Sequence, residues 1–217
     1  MTTPDAVQIY AKNITGRKRL SPALSGQELE STRKQLAGIA SKDEGTTKAG
    51  LSKTLLFPSE VDYNDRFAAG SNEPFDRAGL PYVSGYNYPS IVTPTPDLHY
   101  GYPGSRFDDH EYATMQHSRF KPYSQPNSAN FWPFLAVECK SQSRGGTSWV
   151  AENQNAGIGS HSVNSMEILM KYARGQKQRQ ITDSLFFSCV ADANGASVWV
   201  HWMDLNHDPR YVSAEIV

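Results

Sequence analysis

Glu138-Cys139-Lys140 closes the apolar run that begins at Phe131-Trp132-Pro133-Phe134-Leu135-Ala136-Val137. In a strand, successive side chains alternate faces, so Glu138 and Lys140 point one way and Cys139 points back. One face thus presents a carboxylate and an ammonium at the end of a buried strand. That is an expensive place for charge unless the charge has a partner or a task. An acid that holds a divalent cation, beside a lysine that positions or activates water, is what metal-assisted phosphodiester cleavage needs. Upstream, Pro96-Asp97 reads as the end of another strand, and Gln154 follows fourteen positions after Lys140. Glu138-Cys139-Lys140 is the only acid-x-Lys triplet in the chain.

Each of these residues also has a plainer reading. Glu138 and Lys140 suit an ion pair at a sheet end. Asp97, after a proline, suits a turn-initiating aspartate. Gln154 suits an exposed helical position. His99, His110, His117, His201 and His207 lack zinc-like spacing with cysteines and read as surface or packing residues. Cys139 and Cys189 form no disulfide framework and read as buried thiols in an intracellular protein, cytoplasmic or nuclear.

The elements that would position the triplet follow from patterning. With 217 residues, 38% hydrophobic and 20% charged, the chain can bury one sizeable core. No apolar run reaches the ~18 residues of a membrane span, and the N-terminus carries no signal-peptide pattern. A net charge of −1 excludes a broad cationic coat for nucleic acid. Any such binding falls to a local patch, and the basic clusters Thr15–Leu20 and Lys171–Arg179 read more readily as solvated surface.

Residues 1–25, broken by prolines and glycines, read as a flexible arm, and 26–217 as one domain. Ser25-Gly26-Gln27-Glu28 resembles a capping box and predicts a helix over Leu29–Ala40 with Leu36 and Ile39 on one side. Ser90–Tyr102 reads as an edge or broken strand: Pro94 and Pro96 cannot donate ladder hydrogen bonds, so a central strand is not expected before Asp97. Residues 103–130, polar and proline-rich, read as a long loop insertion. The apolar run predicts a core strand over 132–140. Ala151, Asn155, Ile158, Ser162, Met166 and Leu169, spaced by three and four, predict a helix over Ser148–Tyr172. Asp192-Ala193-Asn194-Gly195 between two apolar runs predicts a hairpin. Trp132, Trp149, Trp199 and Trp202 are expected in the core. The order suits an α/β (α+β) fold, a mixed central sheet flanked by helices.

The block Pro133–Lys140, with Trp149-Val-Ala-Glu-Asn-Gln154-Asn-Ala-Gly157 after it and Pro96-Asp97-Leu98 before it, resembles the PD-(D/E)xK nuclease superfamily. It is closest to a fungal family of uncharacterised PD-(D/E)xK-like domains. The resemblance spans roughly residues 90–202 and implies a restriction-endonuclease-like fold. It implies that Asp97, Glu138 and the Cys139 carbonyl hold Mg²⁺ or Mn²⁺, and that Lys140 orients the attacking water. Gln154 would stand beside them, and DNA would be the substrate. Many members carry a further acid on the first helix, for which Glu28 and Glu30 are the candidates.

Two other classes of function fit the sequence. The tyrosines from Tyr82 to Tyr102 suit a pocket for a small organic ligand, as in a repurposed enzyme of fungal secondary metabolism. A non-catalytic interaction module, forming a homodimer through a sheet edge, is the third.

Overall fold

In the computed structural model, the described residues are 3–17, 25–54, 66–81, 92–141, 148–174, 179–204 and 210–216. Their centre is a six-stranded mixed sheet in the order β1 Ala68–Gly70, β2 Leu98–Tyr102, β3 Phe131–Cys139, β4 Phe186–Ala191, β5 Ala196–Asp204 and β6 Arg210–Glu215. Every neighbouring pair is antiparallel except β3 and β4. Helix α6, Ser148–Arg174, makes the crossover that a parallel pair requires. This is an α+β architecture, as expected.

Alternation along the strands assigns the two faces. Ala136, Phe186 and Met203 join Ile158 and Val163 of α6 in one core cluster, so α6 covers that face. Val137, Cys139, Tyr100 and Ala191 join Leu51 on the other face. There the helical pair α2, Gly26–Ile39, and α3, Glu44–Thr54, contributes Leu51, Leu36 and Ile39. Helix α6 comes close to β5 because position 159 is glycine: a Cβ there would run into the His201 ring.

Several local expectations hold. Ser25 and Glu28 form a reciprocal capping box at the start of α2. No central strand precedes Asp97 among the described residues, as expected, but Asp97 stands before its strand rather than ending one: β2 begins at Leu98 and lies between β1 and β3, not at an edge. At the tip between β4 and β5, Asp192 Oδ1 accepts from the backbone N–H groups of Asn194 and Gly195.

Three expectations are corrected. The N-terminal stretch is not only an arm: α1, Asp5–Thr15, buries Val7 and Ala11. Val7 packs with Val200 and Trp202 of β5, and burying such a side chain stabilises by about 2 kcal/mol. The supposed loop 103–130 contains α4, Asp109–Gln116, and α5, Lys121–Ser124. Asp108 and Glu111 cap α4 reciprocally, and Met115 anchors it against Phe131 and Trp132. Among the tryptophans, Trp202 and Trp132 are buried but Trp149, at the start of α6, is 69% exposed. The C-terminal strand β6 was not anticipated. Among the described residues no helix is long and apolar enough to cross a membrane.

Candidate functional site

The pairing of β2 with β3 places two of the expected acids together. Leu98 pairs with Val137, so one step further Asp97 stands opposite Glu138 at the same end of the sheet. Asp97 is fixed from two sides. Its Oδ2 accepts the Cys139 backbone N–H at 2.8 Å, and its Oδ1 lies 3.3 Å from Lys48 Nζ. Lys48 also donates to Asn72 Oδ1 at 2.6 Å.

Glu138 is in the opposite situation. It is 1% exposed, and Lys140 Nζ reaches only its Oε2, at 3.4 Å. Its Oε1 is buried without a hydrogen-bond partner. Burial first, and the Asp97 charge second, push its pKa up to about 7, against the pull of Lys140 and Lys48. At neutral pH the group is poised between acid and carboxylate.

Lys140 follows β3, its backbone N–H bonded to the Ala191 carbonyl at 2.9 Å. Its ammonium also lies 3.6 Å from Glu44 Oε1. Glu44 and Lys48 occupy i and i+4 on α3 and therefore share one face of that helix. One helix face thus brings an acid to Lys140 and a lysine to Asp97. Next door, the Ser141 hydroxyl donates to the Lys42 carbonyl, which ties the end of β3 to the loop before α3.

Not every expected residue joins this group. Glu28 is spent on the α2 capping box, and Glu30 pairs at 3.8 Å with Lys34 on the exposed side of the same helix. The helical acid at the site is Glu44. Its signal in the sequence was its i,i+4 spacing from Lys48, but only the folded chain shows that both reach the strand ends. The Cys139 side chain faces the α2–α3 core, and burial drives its thiol pKa to about 12, so it stays a neutral packing group. Gln154 is exposed on α6. The residue after it, Asn155, is 2% exposed, and neither its Oδ1 nor its Nδ2 has a partner. Asn155 was legible as one of two polar members of the apolar stripe, with Ser162, but its neighbour drew the functional reading instead.

Buried polar groups left unpaired cost roughly 1–3 kcal/mol each. Glu138 Oε1 is therefore the atom here that most needs a ligand. Two facing carboxylates suit a hard cation that seeks oxygen. No group of three or more His, Cys, Asp or Glu side chains among the described residues could hold an ion by itself. Asp97 and Glu138 would need backbone, water or substrate oxygens to complete the shell, which is how Mg²⁺ is commonly bound at phosphate-processing sites.

The histidines are held by other parts of the fold. His99 is buried under Phe75, with Asn127 at 3.1 Å and Asn130 at 2.9 Å from its ring nitrogens. His201 lies 2.7 Å from the Ser188 hydroxyl. Burial lowers the pKa of both. His110 and His117 are exposed, and His207 lies outside the described residues. Of the tyrosines, Tyr100 is in the core and Tyr102 is partly exposed. Tyr82, Tyr86 and Tyr88 lie outside the described residues.

A family model described as Domain of unknown function (DUF7924) matches residues 34–216, and the chain belongs to that family. The match includes Glu44, Lys48, Asp97, Glu138, Lys140 and Asn155, and leaves out α1. No curated protein matches the chain.

Proposed function

We propose that this DUF7924 chain is a metal-dependent nuclease-like domain that hydrolyses phosphodiester bonds of DNA. What carries the reading is the unpartnered, buried Glu138 Oε1 beside Asp97, with Lys140 on the same carboxylate. The superfamily resemblance supports it. Asp97 and Glu138 would hold Mg²⁺ or Mn²⁺, with the Cys139 carbonyl as a further ligand. A bound divalent cation supplies Lewis-acid stabilisation of charge on the phosphate and a more acidic water.

The protein's own groups then have separable tasks. The Cys139 N–H and Lys48 hold the Asp97 carboxyl group fixed in direction. Glu138 must lose its proton before it can bind a cation, so its raised pKa makes the site weaker in mild acid. Lys140, held between Glu138 and Glu44, presents an ammonium to the phosphate or to the attacking water. Gln154, on the exposed side of α6, would meet the substrate rather than the buried carboxylates.

The test is incubation of the purified protein with labelled single- and double-stranded DNA, with Mg²⁺ or Mn²⁺ and with chelator. Cleavage that requires the ion, and that disappears in Glu138→Ala and Lys140→Ala while both variants remain folded, is the expected result. Failure of the wild type to cut DNA with either ion rejects the reading.

A further inference from the structure

Asn155 is the second unresolved polar group at this end of the molecule. Three buried atoms there lack partners: Glu138 Oε1, Asn155 Oδ1 and Asn155 Nδ2. Their placement follows from the crossover. Helix α6 returns from the end of β3 to the start of β4, which is parallel to β3, so α6 runs antiparallel to β3. The start of the helix therefore lies over the end of the strand. Ile158 shares a core cluster with Ala136. From Ile158, Asn155 is three residues back along the helix, about 4.5 Å. Glu138 is two residues forward along the strand on the same face, about 6.6 Å in the same direction. The two residues therefore lie toward the same end of facing elements, and no direct hydrogen bond joins them.

An asparagine kept in the buried stripe of a helix, between Ala151 and Ile158, is out of place if the stripe only packs. A carboxamide offers both a donor and an acceptor, and the free carboxylate oxygen is an acceptor. A water molecule between them can donate to Glu138 Oε1 and bond the carboxamide with its remaining capacity.

We propose that Asn155 is a positioning residue of the site, whose carboxamide and Glu138 Oε1 together hold a water of a hydrated divalent cation. The proposal rests on the metal-dependent reading above and adds to it. It makes Asn155, rather than the exposed Gln154, the α6 residue that governs ion binding. Loss of a group that orients a metal site's surroundings typically costs 10–100-fold in affinity.

The experiment is calorimetric titration of Mn²⁺ at pH 8 into the wild type, Asn155→Leu, Asn155→Ala and Gln154→Ala, with thermal melts of each in chelator. Mn²⁺ affinity is expected to fall about 10–100-fold in both Asn155 variants. Gln154→Ala should stay within about twofold of the wild type. Melting of Asn155→Leu should be unchanged or higher, because an unpaired carboxamide is replaced by an apolar group of similar size. Wild-type affinity in a folded Asn155→Leu or Asn155→Ala overturns the inference and leaves the nuclease reading standing. So does unfolding of both variants, which would make the residue structural. A wild type that binds no Mn²⁺ rejects the nuclease reading, and this inference goes with it.

Discussion

Glu138 and Glu167 are both almost fully buried, one near the end of β3 and the other on α6. They are held in opposite ways. Glu167 Oε1 accepts the Ser184 hydroxyl at 2.6 Å, and its Oε2 is paired with the Arg179 guanidinium. Each of its oxygens is satisfied, and the group ties α6 to the turn before β4. Glu138 has one oxygen on Lys140 and one on nothing, with a second carboxylate for a neighbour. Burial is the same in the two cases, so burial alone does not mark a functional acid. What separates them is whether the fold completes the hydrogen bonding itself or leaves an atom for something else.

The comparison breaks most visibly in activity. Lys140→Ala or Glu138→Ala should reduce cleavage of DNA by roughly 10²–10⁴-fold, the usual worth of a positioned proton-transfer or charge-stabilising group. Glu167→Gln should leave the rate of the folded protein within about twofold, measured in single-turnover assays.

Stability should sort the two in reverse. Glu167→Ala strands the largely buried Arg179, and chemical denaturation should show a loss of about 2–4 kcal/mol. Glu138→Gln removes a carboxylate that the fold leaves half unpaired, while Glu44 still accompanies Lys140. At pH 8 it should be neutral or stabilising. A loss from Glu138→Gln as large as that from Glu167→Ala would erase the distinction.

The pH dependence gives a smaller and sharper contrast. A carboxyl whose pKa rises from 4.5 unfolded to about 7 folded contributes stability that is complete below 4.5 and lost as pH rises through 7. The shift corresponds to at most about 3 kcal/mol. The buried histidines, with lowered pKa values, act in the opposite sense and lose stability as pH falls. The quantity to read is therefore the wild type minus Glu138→Gln. That difference should decline between pH 5 and pH 8 in urea titrations and be flat if Glu138 keeps an ordinary pKa. The smallest effect belongs to Lys48→Met, which removes a positive charge that lowers the Glu138 pKa. It should raise the pH midpoint of cation binding by less than about one unit.

Much of the frame around Glu138 was legible in the sequence. Strand β3, the long helix α6, the β4–β5 hairpin and the Ser25–Glu28 cap are local patterns, set by periodicity of two or three to four and by turn chemistry. Helix α1 escaped because only Val7 and Ala11 are buried, and Val7 packs on β5, nearly two hundred residues away. Helix α4 did carry a readable Asp108–Glu111 cap, but the prolines and polar residues around it outweighed that signal. The site divides in the same way. Asp97, Glu138 and Lys140 stand out by type and spacing along strands. Glu44 and Lys48 act through a fold that brings residues forty-nine and more positions apart into contact, which no local pattern encodes. Gln154 and Asn155 differ by a single step on a helix; the spacing already put Asn155 in the buried stripe, but that its carboxamide lacks a partner shows only in the folded chain.

The central claim is that Glu138 is left incomplete in order to bind a cation, whereas Glu167 is complete. Titration of Mn²⁺ at pH 8 into the wild type, Glu138→Gln and Glu167→Gln tests it most directly. Saturable binding in the wild type and in Glu167→Gln, lost in Glu138→Gln, is the predicted result. Undiminished binding in Glu138→Gln, or none in the wild type, would contradict it.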